Sequence, residues 1–217
     1  MMKVGTDAVL LGAWADVTNS STILDIGTGT GIIGLMLAQR NENAEITAIE
    51  LEEKAFKQAL SNFKNSKWAS RFKIQHISLQ SFTSVHQFDC IISNPPFFDN
   101  HHFSKDGNRT IARHTSSLPY ESLLKKTASL LTKSGFFHVI IPFQSENHFI
   151  QLAKKETLFP KRILRVRGNI KSPLKRSLIT FSFYFTPIQI NELIIEKSRN
   201  HYTSDYINLT KDFYLKM

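Results

Sequence analysis

Residues 22–40 read TILDIGTGTGIIGLMLAQR, and this stretch decides the fold. Thr22 to Ile26 form a short apolar run that predicts a strand, and Ile32 to Arg40 have the spacing of a helix. Between them lies the turn Gly27-Thr28-Gly29-Thr30-Gly31. Glycines in such a turn let the backbone approach a bound cofactor closely. The stretch therefore predicts a strand, a cofactor-binding turn and a helix in succession.

A second strand, Glu45 to Glu50, ends in an acid 19 residues after Gly31. A carboxylate at that strand end can accept hydrogen bonds from both hydroxyls of a ribose. A solvated strand end is the simpler alternative for Glu50. The order of strand, glycine turn, helix, strand and terminal acid is a more specific signal than the glycines alone.

Two cofactors fit this pattern, because residues 29–34 (GTGIIG) also satisfy the dinucleotide fingerprint of nicotinamide enzymes. Asp25, two residues before the first glycine, distinguishes the two cofactors. A carboxylate repels a pyrophosphate and attracts a cationic ligand. S-adenosylmethionine carries a sulfonium and an amino group and has no phosphate, so Asp25 favours that cofactor. A turn-capping carboxylate is the alternative for Asp25, and a nicotinamide oxidoreductase is the alternative function.

The rest of the chain continues to alternate between helices and strands. Thr6 or Asp7 can cap a short helix through Trp14. Further helices are predicted at 52–65, 119–131 (closed by Lys133-Ser134-Gly135) and 145–156, and further strands at 72–77, 88–93, 136–141, 162–167 and 177–185. This alternation predicts the α/β class, with a doubly wound, mainly parallel sheet in a single domain over residues 1–217. The last two strands have no helix between them, so they are expected to form an antiparallel hairpin at one sheet edge.

The segment Asn94-Pro95-Pro96-Phe97 directly follows an apolar strand. Two prolines cannot continue a central strand, so the chain must leave the sheet there and hold Asn94 on a stiff backbone. An amide oxygen, a backbone carbonyl and an aromatic face on one turn suit a planar ring that carries an exocyclic NH₂ group. A proline-rich turn without function is the alternative.

Composition indicates a globular chain of 217 residues and 24.8 kDa, with 41% hydrophobic and 21% charged residues. No apolar run approaches the roughly 18 residues of a membrane helix, and the sequence begins without a signal-peptide pattern. The single cysteine, Cys90, lies in a predicted central strand and is interpreted as a small buried hydrophobe. A reducing, cytoplasmic location is expected.

The net charge of +9 is unevenly distributed along the chain. Residues 1–100 hold 8 basic and 10 acidic side chains, whereas residues 101–217 hold 19 basic and 8 acidic ones. Seven basic residues and no acid lie between Thr157 and Asn191. An excess of this size on one half favours contact with a polyanion such as nucleic acid, although a solvated basic face is the alternative.

With these motifs in this order, the chain resembles the class I S-adenosylmethionine-dependent methyltransferases. It is most similar to their N6-adenine branch, whose signature is (Asn/Asp)-Pro-Pro-aromatic. The segments Met2 to Gly12 and Ala112-Arg113-His114-Thr115 and the tail Tyr202 to Leu215 resemble the bacterial family that methylates N6 of adenine 37 in valine tRNA. The resemblance implies a seven-stranded sheet, with the cofactor above strands one to three and the substrate above strands four to seven.

The resemblance also implies roles for individual residues. The catalytic residues are Asn94, Pro95, Pro96 and Phe97. The cofactor residues are Thr6, Asp7, Asp25, Gly27, Thr28, Gly29, Gly31, Glu50, Ser78 and Asn94. The RNA-binding residues, which the positive charge of the second half indicates independently of the resemblance, are Arg109, Arg113, His114, Lys161, Arg162, Arg165, Arg167, Lys171, Lys175 and Arg176. Ser78 departs from the family, which commonly has an Asp there for the adenine of the cofactor, and the usual short stretch before residue 2 is absent from this sequence.

The partners expected from the sequence are S-adenosylmethionine and tRNA, without a membrane, a metal or an obligate protein partner. His101, His102 and Asp106 lack the spacing of a zinc site. Other planar nitrogens fit the same motif, namely guanine N2 in ribosomal RNA and a glutamine amide in a release factor. An RNA-binding module with a vestigial cofactor site is the non-enzymatic alternative.

Overall fold

The first half of the protein alternates between helices and strands. The computed structural model describes residues 5–96 and 118–215. The first elements are α1 Thr6–Trp14, β1 Thr22–Ile26, α2 Ile32–Arg40, β2 Glu45–Glu50, α3 Glu53–Lys64, β3 Phe72–His76 and β4 Phe88–Ser93. The bounds of β1, α2, β2 and β4 are those predicted from the sequence.

The second half is richer in strands. Its elements are α4 Tyr120–Leu130, β5 Leu131–Pro142, α5 Glu146–Lys155, β6 Phe159–Asn169, β7 Leu174–Ser182, β8 Gln189–Ser198, β9 His201–Tyr202 and α6 Ser204–Thr210. Strands β8 and β9 and helix α6 were not predicted from the sequence. Phe97, Arg109, Arg113 and His114, together with His101, His102 and Asp106, lie outside the described residues.

All nine strands of the described chain belong to one sheet, in the order β3-β2-β1-β4-β5-β7-β6-β8-β9. Strands β3, β2, β1, β4 and β5 run parallel, and β7 is antiparallel to both β5 and β6. The predicted fold class, a mainly parallel α/β sheet with an antiparallel edge, is confirmed. The strand count differs from the seven expected, because β8 pairs with β6 and β9 pairs with β8. The β6–β7 hairpin is therefore an internal part of the sheet.

The two faces of the sheet carry separate hydrophobic cores, as a doubly wound fold requires. Along β1, Ile23 packs on the face covered by α1, α2 and α6, whereas Leu24 and Ile26 pack on the face covered by α4 and α5. Cys90 is fully buried in β4, and burial raises the pKa of its thiol. In the described part of the chain, no helix is long and apolar enough to cross a bilayer.

The prediction that Lys133-Ser134-Gly135 closes the helix is wrong, because β5 begins at Leu131 directly after α4. Leu131 is buried and aligns with Phe88 of β4, so pairing with the sheet overrides the turn propensity of Lys133-Ser134-Gly135. A Cβ on Gly135 would lie 2.9 Å from the backbone oxygen of Asp89. The glycine therefore permits close approach of neighbouring strands and does not end a helix.

Candidate active site

A cavity of about 590 Å³ lies at the carboxyl edge of the sheet, which is the side at which β1, β2 and β4 end. Parallel α/β sheets bind ligands at this edge. The wall of the cavity includes Gly27, Gly29, Glu50, Ser78, Asn94 and Pro96. The structure thus brings together residues predicted to bind a cofactor and residues predicted to bind the target, although they lie at the ends of four different strands.

The glycine turn has the left-handed backbone that its composition predicts. Gly27, Gly29 and Gly31 have φ angles of 67°, 59° and 83°. The N–H groups of Gly27 and Thr28 both donate to the carbonyl oxygen of Ile49, at 3.0 and 3.1 Å. A Cβ on Gly31 would come within 2.6 Å of the Phe63 ring, so α2 can start only from a glycine at this position. The turn is thereby fastened to the end of β2.

Glu50 holds the turn from the other side. Its Oε2 accepts the N–H of Gly29 at 2.8 Å, and its Oε1 accepts the N–H groups of Leu51 and Glu52, each at 2.8 Å. A carboxylate has about four acceptor positions, and the contacts within the described chain use three of them. The negative charge is therefore fixed at the cavity wall, with one acceptor position of Oε2 open to a ligand.

Asp25 has a different position from the one expected. Its carboxylate is fully buried beneath the turn, outside the wall of the cavity, and its Oδ2 accepts the Thr28 hydroxyl at 2.6 Å. Burial raises the pKa of Asp25 to about 6, and the hydrogen bond from Thr28 opposes that rise. The structure does not bring this carboxylate into direct contact with the cavity, because β1 and α2 cover it. Asp25 instead orders the turn through Thr28.

Asn94 is positioned by the end of β4. The Ser93 hydroxyl is fully buried and donates to the carbonyl oxygen of Ile26 at 3.1 Å. This bond fixes the carboxyl end of β4 against that of β1, next to the glycine turn. Pro95 is buried behind Asn94, while Pro96 is exposed at the cavity wall.

The loop after β3 also reaches the cavity. The Ser78 hydroxyl accepts the N–H of Ser81 at 3.2 Å and lies 3.0 Å from the Ser81 hydroxyl, to which it donates. Ser78 therefore stabilises the loop as well as lining the cavity. Gln80, which the sequence analysis did not select, is exposed and lies in the same wall. The signal that could have found it is its position in the loop after β3, a strand that ends at the carboxyl edge.

Thr6 and Asp7 lie at the start of α1, and neither is in the cavity wall. Asp7 forms an ion pair with Arg176 of β7, with 2.8 Å between Oδ2 and Nε. Both side chains are about one-third exposed or less. This ion pair joins the N-terminal helix to the basic half of the chain, at the carboxyl edge, since Arg176 aligns with Pro142 at the end of β5.

The seven basic residues between 157 and 191 do not form one surface. Lys161 and Arg162 lie at the opposite end of the sheet, because β6 starts there. Arg162 donates to the carbonyl oxygen of Trp14 at 2.9 Å and lies 4.4 Å from the centre of its ring, whereas Lys161 lies over Phe136 at 4.9 Å. Lys171 and Lys175, in and after the β6–β7 turn, are exposed at the carboxyl edge.

Arg165 and Arg167 are engaged in ion pairs. Arg165 binds Glu146 through Nε and Nη2, with 2.7 Å between Nη2 and Oε1, and Ser177 donates to the same carboxylate. Glu146 is only 3% exposed, so Arg165 compensates a buried charge. Arg167 pairs with Glu192 of β8 at 2.9 Å. The acids are distant in sequence, so only the structure identifies these pairs. Among the described residues, no cluster of side chains suited to a metal ion is found.

Comparison with known proteins agrees with this geometry. The model of the methyltransferase small domain matches residues 4–152. Over 100% of this chain, the identity is 44% to the tRNA1(Val) (adenine(37)-N6)-methyltransferase of Christiangramia forsetii and 47% to that of Flavobacterium johnsoniae. The matches cover 92% and 94% of those proteins.

Solved structures share the fold at low sequence identity. A predicted O-methyltransferase from Agrobacterium tumefaciens superposes with a TM-score of 0.71 at 19% identity, covering 95% of this chain and 96% of that one. A putative RNA methyltransferase from Pyrococcus horikoshii has a TM-score of 0.59 at 16% identity, covering 83% and 81%. The predicted resemblance is confirmed: the chain belongs to the methyltransferase small domain family and, within it, to the family of bacterial tRNA1(Val) (adenine(37)-N6)-methyltransferases.

Proposed function

We propose that this protein transfers a methyl group from S-adenosylmethionine to the exocyclic N6 of an adenine in tRNA, at position 37 of valine tRNA. The observation that carries the proposal is the cavity shared by Glu50, Gly29 and Asn94. It combines a fixed carboxylate for a ribose with the asparagine of the (Asn/Asp)-Pro-Pro signature. Relatives that align with this chain over nearly their whole length are named for that reaction.

The cofactor fits the residues of this cavity. The volume of the cavity, about 590 Å³, lies within the usual range for small-molecule sites, roughly 300–1,000 Å³. Glu50 would accept a ribose hydroxyl at the open position of Oε2, and the bare backbone at Gly27 and Gly29 would allow close approach. Ser78 and Gln80 would contact the adenine end. When bound, S-adenosylmethionine supplies a methyl group on a positively charged sulfur.

Asn94 and Pro95 would hold the target amino group. The Asn94 side-chain oxygen and the Pro95 carbonyl can accept the two N6 hydrogens, which fixes the nitrogen beside the cofactor. Acceptors in those directions favour a nitrogen that changes from planar toward tetrahedral, so they bind the transition state more strongly than the ground state. Pro95 and Pro96 keep the backbone stiff, so little reorganisation is needed. We expect Phe97, which lies outside the described residues, to stack on the target base, as aromatic residues do in proteins that flip bases.

No general base is required at the site. An exocyclic amine can give up its proton to water after methyl transfer, and positioning alone can contribute about 7–11 kcal/mol to such a reaction. The basic residues Lys171 and Lys175 would contact the RNA backbone at the carboxyl edge. Lys161 and Arg162 lie at the other end of the sheet, so they are not part of this RNA surface.

The direct test is methyl transfer from labelled cofactor to purified total tRNA, ribosomes and release factor, followed by nucleoside analysis. We expect N6-methyladenosine in tRNA, and no product on a valine tRNA transcript in which adenine 37 is replaced by guanine. Label in ribosomal RNA or in release factor would assign the protein to a different substrate. Absence of transfer to all three would favour the vestigial RNA-binding module.

A matched variant tests the role of the signature. Asn94→Ala should lower turnover by about 10²- to 10³-fold, as does loss of an oxyanion-hole donor elsewhere, while cofactor affinity by calorimetry changes little. Asn65→Ala is the control, since this exposed asparagine follows the end of α3 and is not in the cavity wall. Equal turnover of the Asn94 variant and the control would contradict the mechanism.

A further inference from the structure

The strands that the sequence analysis did not predict form a hairpin at the carboxyl edge. Strand β8 runs parallel to β6, so its end lies on the same side of the sheet as the ends of β4 and β5. In the β8–β9 hairpin (residues 197–202), Ser198 aligns with His201, which leaves Arg199 and Asn200 at the tip. Asn200 has φ 64°, a left-handed conformation that asparagine tolerates better than most residues. The hairpin therefore extends the edge that carries the cavity.

The base of this hairpin is rigidly held. The backbone N–H of Thr203 donates to the carbonyl oxygen of Ile195 at 2.9 Å, and the Thr203 side chain caps α6 by accepting the N–H of Tyr206 at 3.2 Å. Tyr206 is only 3% exposed and packs in the core beneath α1. Its ring lies 5.2 Å from that of Tyr202, which is 36% exposed. Tyr202 thus presents an aromatic ring whose position is set by a buried neighbour.

Two of the exposed side chains of the hairpin are cationic. Lys197 and Arg199 are exposed, and neither forms an ion pair with another described residue. The β6–β7 turn is adjacent to the hairpin, because Asn169 at the end of β6 aligns with Glu196 of β8. Lys171 lies in this turn and is also exposed. Two acids of β8 lie near the tip: Glu192 is paired with Arg167, and Glu196 aligns with Tyr202 directly before Lys197. Lys171, Lys197 and Arg199 outnumber Glu196, so the tip carries a net positive charge beside an exposed aromatic ring, which is the composition of a nucleic-acid contact.

We propose that the β8–β9 hairpin is a second binding surface for the tRNA backbone, with Lys197 and Arg199 contacting phosphates and Tyr202 offering a stacking surface. This inference rests on the proposed function, because it takes the RNA bound at the cavity as the ligand. RNA is favoured over an acidic protein because the hairpin and the target site share one edge of the sheet, with Lys171 and Lys175 between them.

Distance separates this surface from the chemistry. Four strand spacings lie between β4 and β8, which is about 19 Å across the sheet. The hairpin cannot touch a base held at Asn94. It contacts nucleotides elsewhere in the same RNA, so its loss weakens RNA binding without slowing methyl transfer on bound RNA.

The test compares two variants that each lose two positive charges. Lys197→Ala/Arg199→Ala removes the hairpin charges, and Lys154→Ala/Lys155→Ala removes two exposed lysines in the last turn of α5, at the opposite end of the sheet. For the hairpin variant, we expect the KM for valine tRNA to rise about tenfold, with kcat and cofactor affinity unchanged. The slope of log K against log[salt] for tRNA binding should become shallower by about 1.5. The control should change neither quantity.

Two further results separate charge from folding and from failure of the proposed function. The charge-preserving variant Lys197→Arg/Arg199→Lys should bind tRNA as the wild type does, and all variants should unfold at the same urea concentration. Equal tRNA affinity and equal salt slope for the hairpin variant and the α5 control would overturn the inference. If the wild type binds tRNA through the hairpin but methylates no RNA, the proposed function fails and the surface stands.

Discussion

Replacing Asp25 with Asn should stabilise the protein in a way that depends on pH. Burial raises the pKa of Asp25 from 3.8 to about 6. The folded protein therefore holds this proton more tightly than the unfolded chain. The resulting stability is fully present below pH 3.8 and is lost as the pH rises through 6.

The size of the effect follows from the two pKa values. One pKa unit corresponds to about 1.4 kcal/mol, so ionisation of Asp25 costs the folded state about 3 kcal/mol at pH 7. At pH 4 the same group costs only about 0.5 kcal/mol. Any cost of fitting an amide beside Thr28 is the same at both pH values. The stability of Asp25→Asn relative to wild type should thus rise by about 2.5 kcal/mol between pH 4 and pH 7.

Urea unfolding of both proteins at several pH values between 4 and 7 measures this difference directly. Other titrating groups, including His138, contribute equally to both proteins and cancel. A difference that stays constant over this range would refute the reasoning, because it would mean that the carboxylate is solvated or paired in the folded state. Calorimetry with S-adenosylmethionine at pH 7 completes the test. Because Asp25 orders the glycine turn through Thr28, we expect the more stable variant to bind the cofactor more weakly.

Two other variants probe the site and the core. Glu50→Gln can keep the bonds to Leu51 and Glu52, but its NH₂ group would face the N–H of Gly29, which lies 2.8 Å from Oε2 in the wild type. We expect cofactor affinity by calorimetry to fall about 30- to 150-fold, for a loss of about 2–3 kcal/mol. Unchanged affinity would refute the role of Glu50. His138 is fully buried, and burial lowers its pKa from 6.5 to about 3. The folded state therefore favours the neutral imidazole, so the contribution of His138 to folding stability is present above pH 6.5 and is lost as the pH falls toward 3. The stability of wild type relative to His138→Gln should drop by about 3 kcal/mol between pH 7 and pH 4 in urea unfolding, and a pH-independent difference would contradict this.

Local sequence patterns predicted the elements around the site well. The bounds of β1 and α2 follow from an apolar run, three glycines and a helical repeat, and all of that information lies within residues 22–40. The meeting of Glu50 and Asn94 follows from topology, since the carboxyl ends of parallel strands share one edge. Strand β8 was missed because it lies next to the edge of the sheet, with exposed Ile190 and only one buried residue, Leu193, so it lacks a clear alternation.

Features that depend on distant partners could not be predicted. The charges of Arg165, Arg167 and Arg176 favoured RNA contact in the sequence, but Glu146, Glu192 and Asp7 bind them in the fold. Asp25 appeared to face a ligand because it precedes the glycines, whereas its burial depends on how α2 covers β1. Charge counts along a sequence therefore overestimate a binding surface wherever folding pairs those charges.

The pairing of β5 with β7 has a consequence for how the shared methyltransferase segment is understood. The segment matched by the family model ends at residue 152, yet Ile140 and Val139 of β5 align with the buried residues Leu178 and Ile179 beyond it. A protein truncated there would leave a long apolar strand with an open edge, a template for self-association. The matched segment and the segment that follows it are thus parts of one folding unit, and neither can be exchanged without refitting the seam between these two strands.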